Sequence, residues 1–69
     1  MTEHRKRAAL GASITLLEHV RGLLIRDADA LRRDGLVSEA SEVSELAHLA
    51  ELRIEAQHNI RDPFTQAPT

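Results

Sequence analysis

Leucines recur every seven residues through the first half of this chain, at Leu10, Leu17, Leu24 and Leu31. Seven residues make two turns of an α-helix, so such a repeat lines one face of a continuous helix with apolar side chains. Additional apolar residues widen this stripe to more than half of the helix circumference. The pattern predicts one helix over about residues 3–34, with more apolar surface than a single neighbouring helix can cover.

The repeat is interrupted at Asp34-Gly35. Glycine readily takes the left-handed backbone conformation that follows a helix end, and Leu36 would then stand where a Schellman motif places its apolar contact with Leu31. Ser38 has a hydroxyl suited to capping a second helix. We therefore predict a turn over residues 35–37 and a new helix that starts at about Ser38.

The second predicted helix runs over about residues 38–61, because Pro63 disfavours helical backbone at the residue before it. Residues 62–69 have the composition of a flexible C-terminal tail, which leaves residues 1–61 as the helical hairpin. The second helix has two apolar stripes. One is rich in alanine and is expected to face the first helix: Leu36, Ala40, Val43, Ala47, Ala50 and Ile54. The other consists of Leu46, Leu49, Ala56 and Ile60, with Leu52 beside it.

Size and composition favour self-association of this hairpin. The chain has 69 residues and no cysteine, and domains this small bury only about 60% of their unfolded surface, so they commonly need a partner subunit. An antiparallel hairpin covers one stripe on each helix, and a second copy would cover the rest. We predict an all-α fold in which two hairpins form a homodimeric four-helix bundle. The predicted dimer core is Leu10, Leu17, Leu24, Leu31, Ala47, Ala50 and Ile54.

Charge divides the two helices. Residues 1–35 carry seven basic and five acidic groups, whereas residues 36–60 carry one basic and five acidic groups. An acidic helix attracts the basic surface of another protein, such as a DNA-binding domain, while a net charge of -2 makes nucleic acid an unfavourable partner. The predicted partner-binding residues are Glu39, Glu42, Glu45, Glu51 and Glu55. Because the longest apolar run is Leu23-Leu24-Ile25, we expect no membrane span and a cytoplasmic location.

Two Glu-x-x-His pairs, Glu45 with His48 and Glu55 with His58, have the spacing that helical bundles use to bind metals. Neither pair lies on the alanine-rich stripe, and the first helix offers no matching glutamate on its apolar side. We therefore expect no metal, no cofactor and no enzymatic activity, with a metal-binding bundle as an alternative. Asp27 falls inside the apolar arc of the first helix, either as a polar contact that sets register or as a solvated edge residue.

The chain resembles two kinds of small helical-hairpin dimer. LIRDADALRRDG followed by SEASEVSELAHLAEL, within residues 10–60, is similar to the phage anti-activators that bind LuxR-type quorum-sensing regulators and block their DNA-binding domains. ITLLE at residues 14–18, with Lys6, Arg21 and Arg26 on the first helix, resembles the Rop-like plasmid regulators that bind RNA. The first resemblance implies a non-enzymatic regulator that occludes a host transcription factor, and the second implies an RNA-binding dimer.

Overall fold

The structure, a computed structural model, describes residues 2–62 and contains two α-helices in that range. Helix α1 spans Glu3–Arg33 and helix α2 spans Val37–Arg61. The helices pack against each other along their length, and contacts join the start of α1 to the end of α2, as between Ser13 and Gln57. The predicted all-α helical hairpin is confirmed.

Helix α1 has favourable groups at both ends. Thr2 is its N-cap, and the threonine hydroxyl accepts a hydrogen bond of 3.3 Å from the backbone N–H of Arg5, which satisfies one of the unpaired donors of the first turn. Arg32 and Arg33 lie in the last turn, where positive charge interacts favourably with the negative end of the helix dipole. Both ends of this long helix are therefore stabilised locally.

The turn between the helices is the predicted Schellman motif. Gly35 has a φ of 82°, a left-handed conformation that costs a glycine little. The backbone N–H of Leu36 donates to the carbonyl of Leu31 at 2.9 Å, and that of Gly35 donates to the carbonyl of Arg32 at 3.1 Å. These two bonds satisfy carbonyl groups that the end of α1 would otherwise leave unpaired.

The predicted cap at Ser38 is wrong. Helix α2 begins at Val37, and its N-cap position is Leu36, which makes no side-chain capping hydrogen bond. Leu36 closes the Schellman motif through its N–H and already accepts a hydrogen bond of 2.9 Å from Ala40 through its carbonyl. The new helix therefore starts directly after the motif, so Ser38 lies inside the first turn.

Helix α2 ends at Arg61, where Pro63 predicted its end. Asp62 follows as the C-cap, and its backbone N–H donates to the carbonyl of His58 at 2.8 Å. Helix α1 ends at Arg33, one residue before the predicted limit, with Asp34 as its C-cap. Most of the predicted tail, residues 63–69, lies outside the described residues.

Small side chains dominate the contact between the helices. The buried apolar residues are Ile14, Ala28, Ala40, Ala47 and Ile54. Three of these five are alanines, which let two helix backbones approach closely. On α2 they belong to the alanine-rich stripe, so its predicted position against α1 is confirmed. We call this contact region the seam.

Candidate interaction surfaces

A large share of the apolar side chains remains exposed in the isolated hairpin. Among the residues that the structure describes, ten large apolar side chains are exposed, led by Leu16 at 66% and Val37 at 64%. Isolated exposed leucines are ordinary on protein surfaces, but a contiguous exposed apolar surface usually marks an interaction site. The arrangement of these side chains around the seam therefore decides what they can do.

A hydrogen bond across the seam identifies one of its two sides. The amide nitrogen of Gln57 donates to the hydroxyl of Ser13 at 3.0 Å. Helix residues three or four positions apart are neighbours on the helix surface. From Ser13 on α1, steps of three, four and three residues lead to Leu16, Val20 and Leu23, while Leu17 and Leu24 separate Ser13 from Arg21 on the helix circumference. On α2 the residues that share the side of Gln57 are Leu46, Leu49 and Ile60.

These six side chains, all exposed, therefore lie on one side of the hairpin, and we call them the apolar face. Gln57 itself is 8% exposed. Its amide oxygen is buried and has no hydrogen-bond partner within residues 2–62. One polar side chain is thus only partly satisfied at the point where the apolar face meets the seam.

The opposite side of the seam is mainly polar, although Ile25, an exposed residue, lies among its charged side chains. A guanidinium nitrogen of Arg21 lies 3.5 Å from a carboxylate oxygen of Glu51, and Arg32 donates to the hydroxyl of Ser44 at 3.4 Å. Arg32 also pairs with Asp29 at 3.2 Å. We call this side, defined by these five polar residues, the polar face. Its side chains reach one another across the two helices, although Nε of Arg21 is buried and has no hydrogen-bond partner within residues 2–62.

Besides Glu39 near the start of α2, three charged residues interrupt the apolar face. Asp27 stands four residues after Leu23 on α1. On α2, Glu42 stands four residues before Leu46, and Arg53 stands four residues after Leu49. All three charged residues are exposed, and within the described range none of them makes an ion pair. Asp27 is therefore not a buried lone carboxylate in the isolated hairpin.

The five glutamates predicted to bind a partner are all exposed, but helix geometry distributes them around α2. Glu42 lies on the apolar face, and Glu51 is paired with Arg21 on the polar face. Glu55 stands four residues after Glu51 and lies on the side of the polar face, whereas Glu45 points away from α1. Glu39, seven residues before Leu46, lies on the side of the apolar face. The structure therefore does not bring the five acids together on one surface.

The residues predicted as the dimer core lie in the seam of one chain. Ala47 and Ile54 are buried there. The others are partly buried: Leu10, Leu17, Leu24, Leu31 and Ala50. The side chains left free for a second hairpin are those of the apolar face. The sequence contained a signal for them, because α2 has a second apolar stripe and the leucines at positions 16 and 23 widen the stripe of α1.

The two Glu-x-x-His pairs lie apart from each other. Glu45, His48 and Glu55 are exposed, while Nδ1 of His58 lies 3.4 Å from a guanidinium nitrogen of Arg61. In the part of the chain that the structure describes, no three histidine, aspartate or glutamate side chains converge as metal ligands would. The positive charge beside His58 also opposes a bound cation.

Helix α1 has one further property. It is long enough to cross a bilayer and contains an 18-residue window with a mean hydropathy of 1.3, of which 6% is buried in the hairpin. Core helices of soluble proteins have similar composition, so this property alone does not place the helix in a membrane. The window includes the apolar face of α1.

Searches with this chain found no matching protein-family model, curated protein or solved structure.

Proposed function

We propose that this protein is a homodimer in which two hairpins stack through their apolar faces into a four-helix bundle. The apolar face is the observation that supports this proposal, because leucine, isoleucine and valine side chains from both helices lie exposed on the same side of the seam. Burial of one such side chain contributes about 1.5–3 kcal/mol. A second copy offers a surface of matching composition, and α1 would then lie inside a bundle in the cytoplasm rather than in a membrane.

The bundle would be a non-enzymatic regulator that binds and occludes another protein. Stacking through the apolar face leaves the polar face and the outer side of α2 in solvent. Glu45 lies on that outer side and Glu55 on the polar face, and the second dimer subunit doubles their number. Such an acidic surface attracts the lysine and arginine surface of a DNA-binding domain and competes with DNA for it. This combination supports an anti-activator role.

A competition experiment tests this role. The probe is a purified LuxR-type regulator bound to labelled operator DNA, to which the protein is added at low ionic strength. We expect the unmodified protein to release the DNA, and the variant Glu45→Lys/Glu55→Lys to release much less, with the difference shrinking as salt screens the charges.

The matched control for this experiment is Glu3→Lys/Glu18→Lys, which changes the net charge equally but alters α1. It should retain the activity of the unmodified protein. If both variants released equal amounts of DNA, the regulator would not contact α2 through Glu45 and Glu55. Failure of the unmodified protein to release DNA at any concentration would contradict the occlusion role for this class of regulator.

A further inference from the structure

The charges on the α2 part of the apolar face form a self-complementary pattern. Glu42, Leu46, Leu49 and Arg53 are separated by four, three and four residues, so the series has the same spacing when it is read backwards. When two such helices pack antiparallel about a point between residues 47 and 48, leucine meets leucine and the acidic end of each series meets the basic end of the other.

The same two charges cannot pair within one chain. Glu42 and Arg53 are eleven residues apart on one straight helix, which corresponds to about 16 Å of rise. An ion pair requires the charged atoms to lie within about 4 Å. Within residues 2–62 neither side chain has an ion-pair partner, so a second molecule can supply one.

Helix α1 carries a second series with the same spacing, Leu16, Val20, Leu23 and Asp27. Its midpoint lies between residues 21 and 22. The contacts of Ser13 with Gln57 and of Arg21 with Glu51 place that midpoint level with about residue 50 of α2. The midpoints of the two series thus differ by about 4 Å along the helix axis. One two-fold axis can therefore relate both helices to their copies.

We infer that the second copy packs antiparallel on the apolar face, with α2 against the partner's α2 and Glu42 of each chain paired with the partner's Arg53. This inference rests on the proposed dimer. The two-fold axis crosses the bundle near its middle, so the two turns lie at opposite ends. Two ion pairs then flank the central leucines of the α2 contact.

The opposite arrangement, with both turns at one end, is electrostatically worse. It would place α1 against the partner's α2. The Ser13–Gln57 and Arg21–Glu51 contacts show that Asp27 is level with residues 43–45 of α2. Asp27 would then lie beside the partner's Glu42. Like charges in contact destabilise an interface, whereas the antiparallel arrangement leaves each Glu42 with a basic neighbour.

The size of the surface suits a second copy. Helix α2 has 25 residues, which gives a length of about 37 Å. Two helices side by side have a width of about 20 Å. The footprint is therefore about 740 Å², close to the roughly 800 Å² that each partner contributes to a typical stable interface.

Charge-reversal variants mixed with each other test the inference. Glu42→Arg and Arg53→Glu each replace two ion pairs per dimer with two like-charge contacts. We expect the dimer Kd of each variant to rise about tenfold at low salt. An equimolar mixture should form a heterodimer of near-original affinity, because every contact then joins opposite charges. Sedimentation equilibrium measures the affinities, and circular dichroism checks that each variant remains helical.

Three further samples complete the experiment. The variant Glu42→Arg/Arg53→Glu exchanges the charges within one chain and should restore the original Kd. The controls Glu55→Arg and Arg26→Glu make the same charge changes at exposed positions away from the apolar face, and they should leave the Kd unchanged.

The possible failures differ from one another. If Glu42→Arg tightens the dimer, the parallel arrangement with Asp27 is correct and the inference is overturned. If the mixture is no tighter than the single variants, the ion pair is absent, although the dimer itself stands. If the unmodified protein is a monomer throughout, the inference fails together with the proposed dimer.

Discussion

The two faces of the hairpin differ in how their exposed side chains find partners. On the polar face, Arg21 reaches Glu51 and Arg32 reaches Ser44 across the seam. On the apolar face, Leu16 and Leu49 stay 66% and 58% exposed, and neighbouring charges make no ion pair within residues 2–62. On the polar face charged side chains find partners across the seam within one chain, whereas the apolar face presents surface that a second molecule can bury.

This contrast divides the stabilising interactions into two groups. The seam holds the hairpin together inside one chain, with Ala40 and Ala28 at 0% and 2% exposure. The apolar face contributes to stability only when something covers it. A hairpin of two helices has a small core for its surface area, so both groups matter.

The largest effect is expected in the seam. Ile54 is 6% exposed, and Ile54→Ala should lower the free energy of unfolding by about 2–5 kcal/mol, since it removes buried methyl groups and leaves a cavity. Urea denaturation at fixed protein concentration measures this change. The matched control is Ile25→Ala at a position that is 48% exposed, where we expect less than about 1 kcal/mol. Equal losses at both positions would show that the seam is not the core.

The next largest effect is expected on the apolar face. Leu49→Glu should raise the dimer Kd by about 100-fold or more, because each dimer loses two buried leucines and gains two desolvated carboxylates. Val37→Glu introduces the same charge at a position that is 64% exposed and lies away from this face. Sedimentation velocity over a dilution series should show a shift for Leu49→Glu only. A shift of equal size for Val37→Glu would remove the distinction between the faces.

The glycines provide a pair of opposite, smaller effects. A Cβ added at Gly22 meets no atom within 4 Å. Gly22→Ala should therefore raise the free energy of unfolding by up to about 1 kcal/mol, because alanine has a higher helix propensity than glycine. Gly35 has a φ of 82°, so Gly35→Ala should lower it by about 1 kcal/mol through backbone strain. Thermal melts followed by circular dichroism decide the signs. A stabilising Gly35→Ala would contradict the turn geometry.

The smallest effect is expected on the polar face. Arg21→Gln removes the pair with Glu51, whose side chains are 36% and 53% exposed. Solvent-exposed ion pairs contribute about 0.2–1 kcal/mol, and salt screens them. The free energy of unfolding should therefore fall by no more than about 1 kcal/mol, with the difference shrinking at high salt. A larger, salt-independent loss would indicate that this face is part of the core.

Local sequence signals predicted most of the hairpin. The leucine repeat predicted α1, Gly35 and Leu36 predicted the Schellman turn, and Pro63 predicted the end of α2. Each of these signals acts on neighbouring residues, so helix limits can be predicted without knowing how the helices pack. The start of α2 was missed because the Schellman hydrogen bonds of Leu36, rather than the hydroxyl of Ser38, determine where that helix begins.

The candidate site was less predictable. The alanines of α2 correctly indicated which stripe faces α1. The sequence did not show which leucines of α1 lie in the seam and which are exposed, because that depends on how the two helices pack. The heptad leucines 10, 17, 24 and 31 lie in the seam or at its edge, while Leu16 and Leu23 are exposed. Helix periodicity shows which residues share a side, but it does not show how far one helix is rotated against its neighbour. That rotation separates the seam from the apolar face.

The mass of the protein in solution shows whether two hairpins associate. Sedimentation equilibrium or light scattering at micromolar concentration, combined with circular dichroism on the same sample, is sufficient. We predict a mass of twice the 7.7 kDa of one chain, with helical signal that declines when dilution separates the subunits. A mass of 7.7 kDa with full, concentration-independent helicity would contradict this prediction, because the hairpin would then be stable with its apolar face in water.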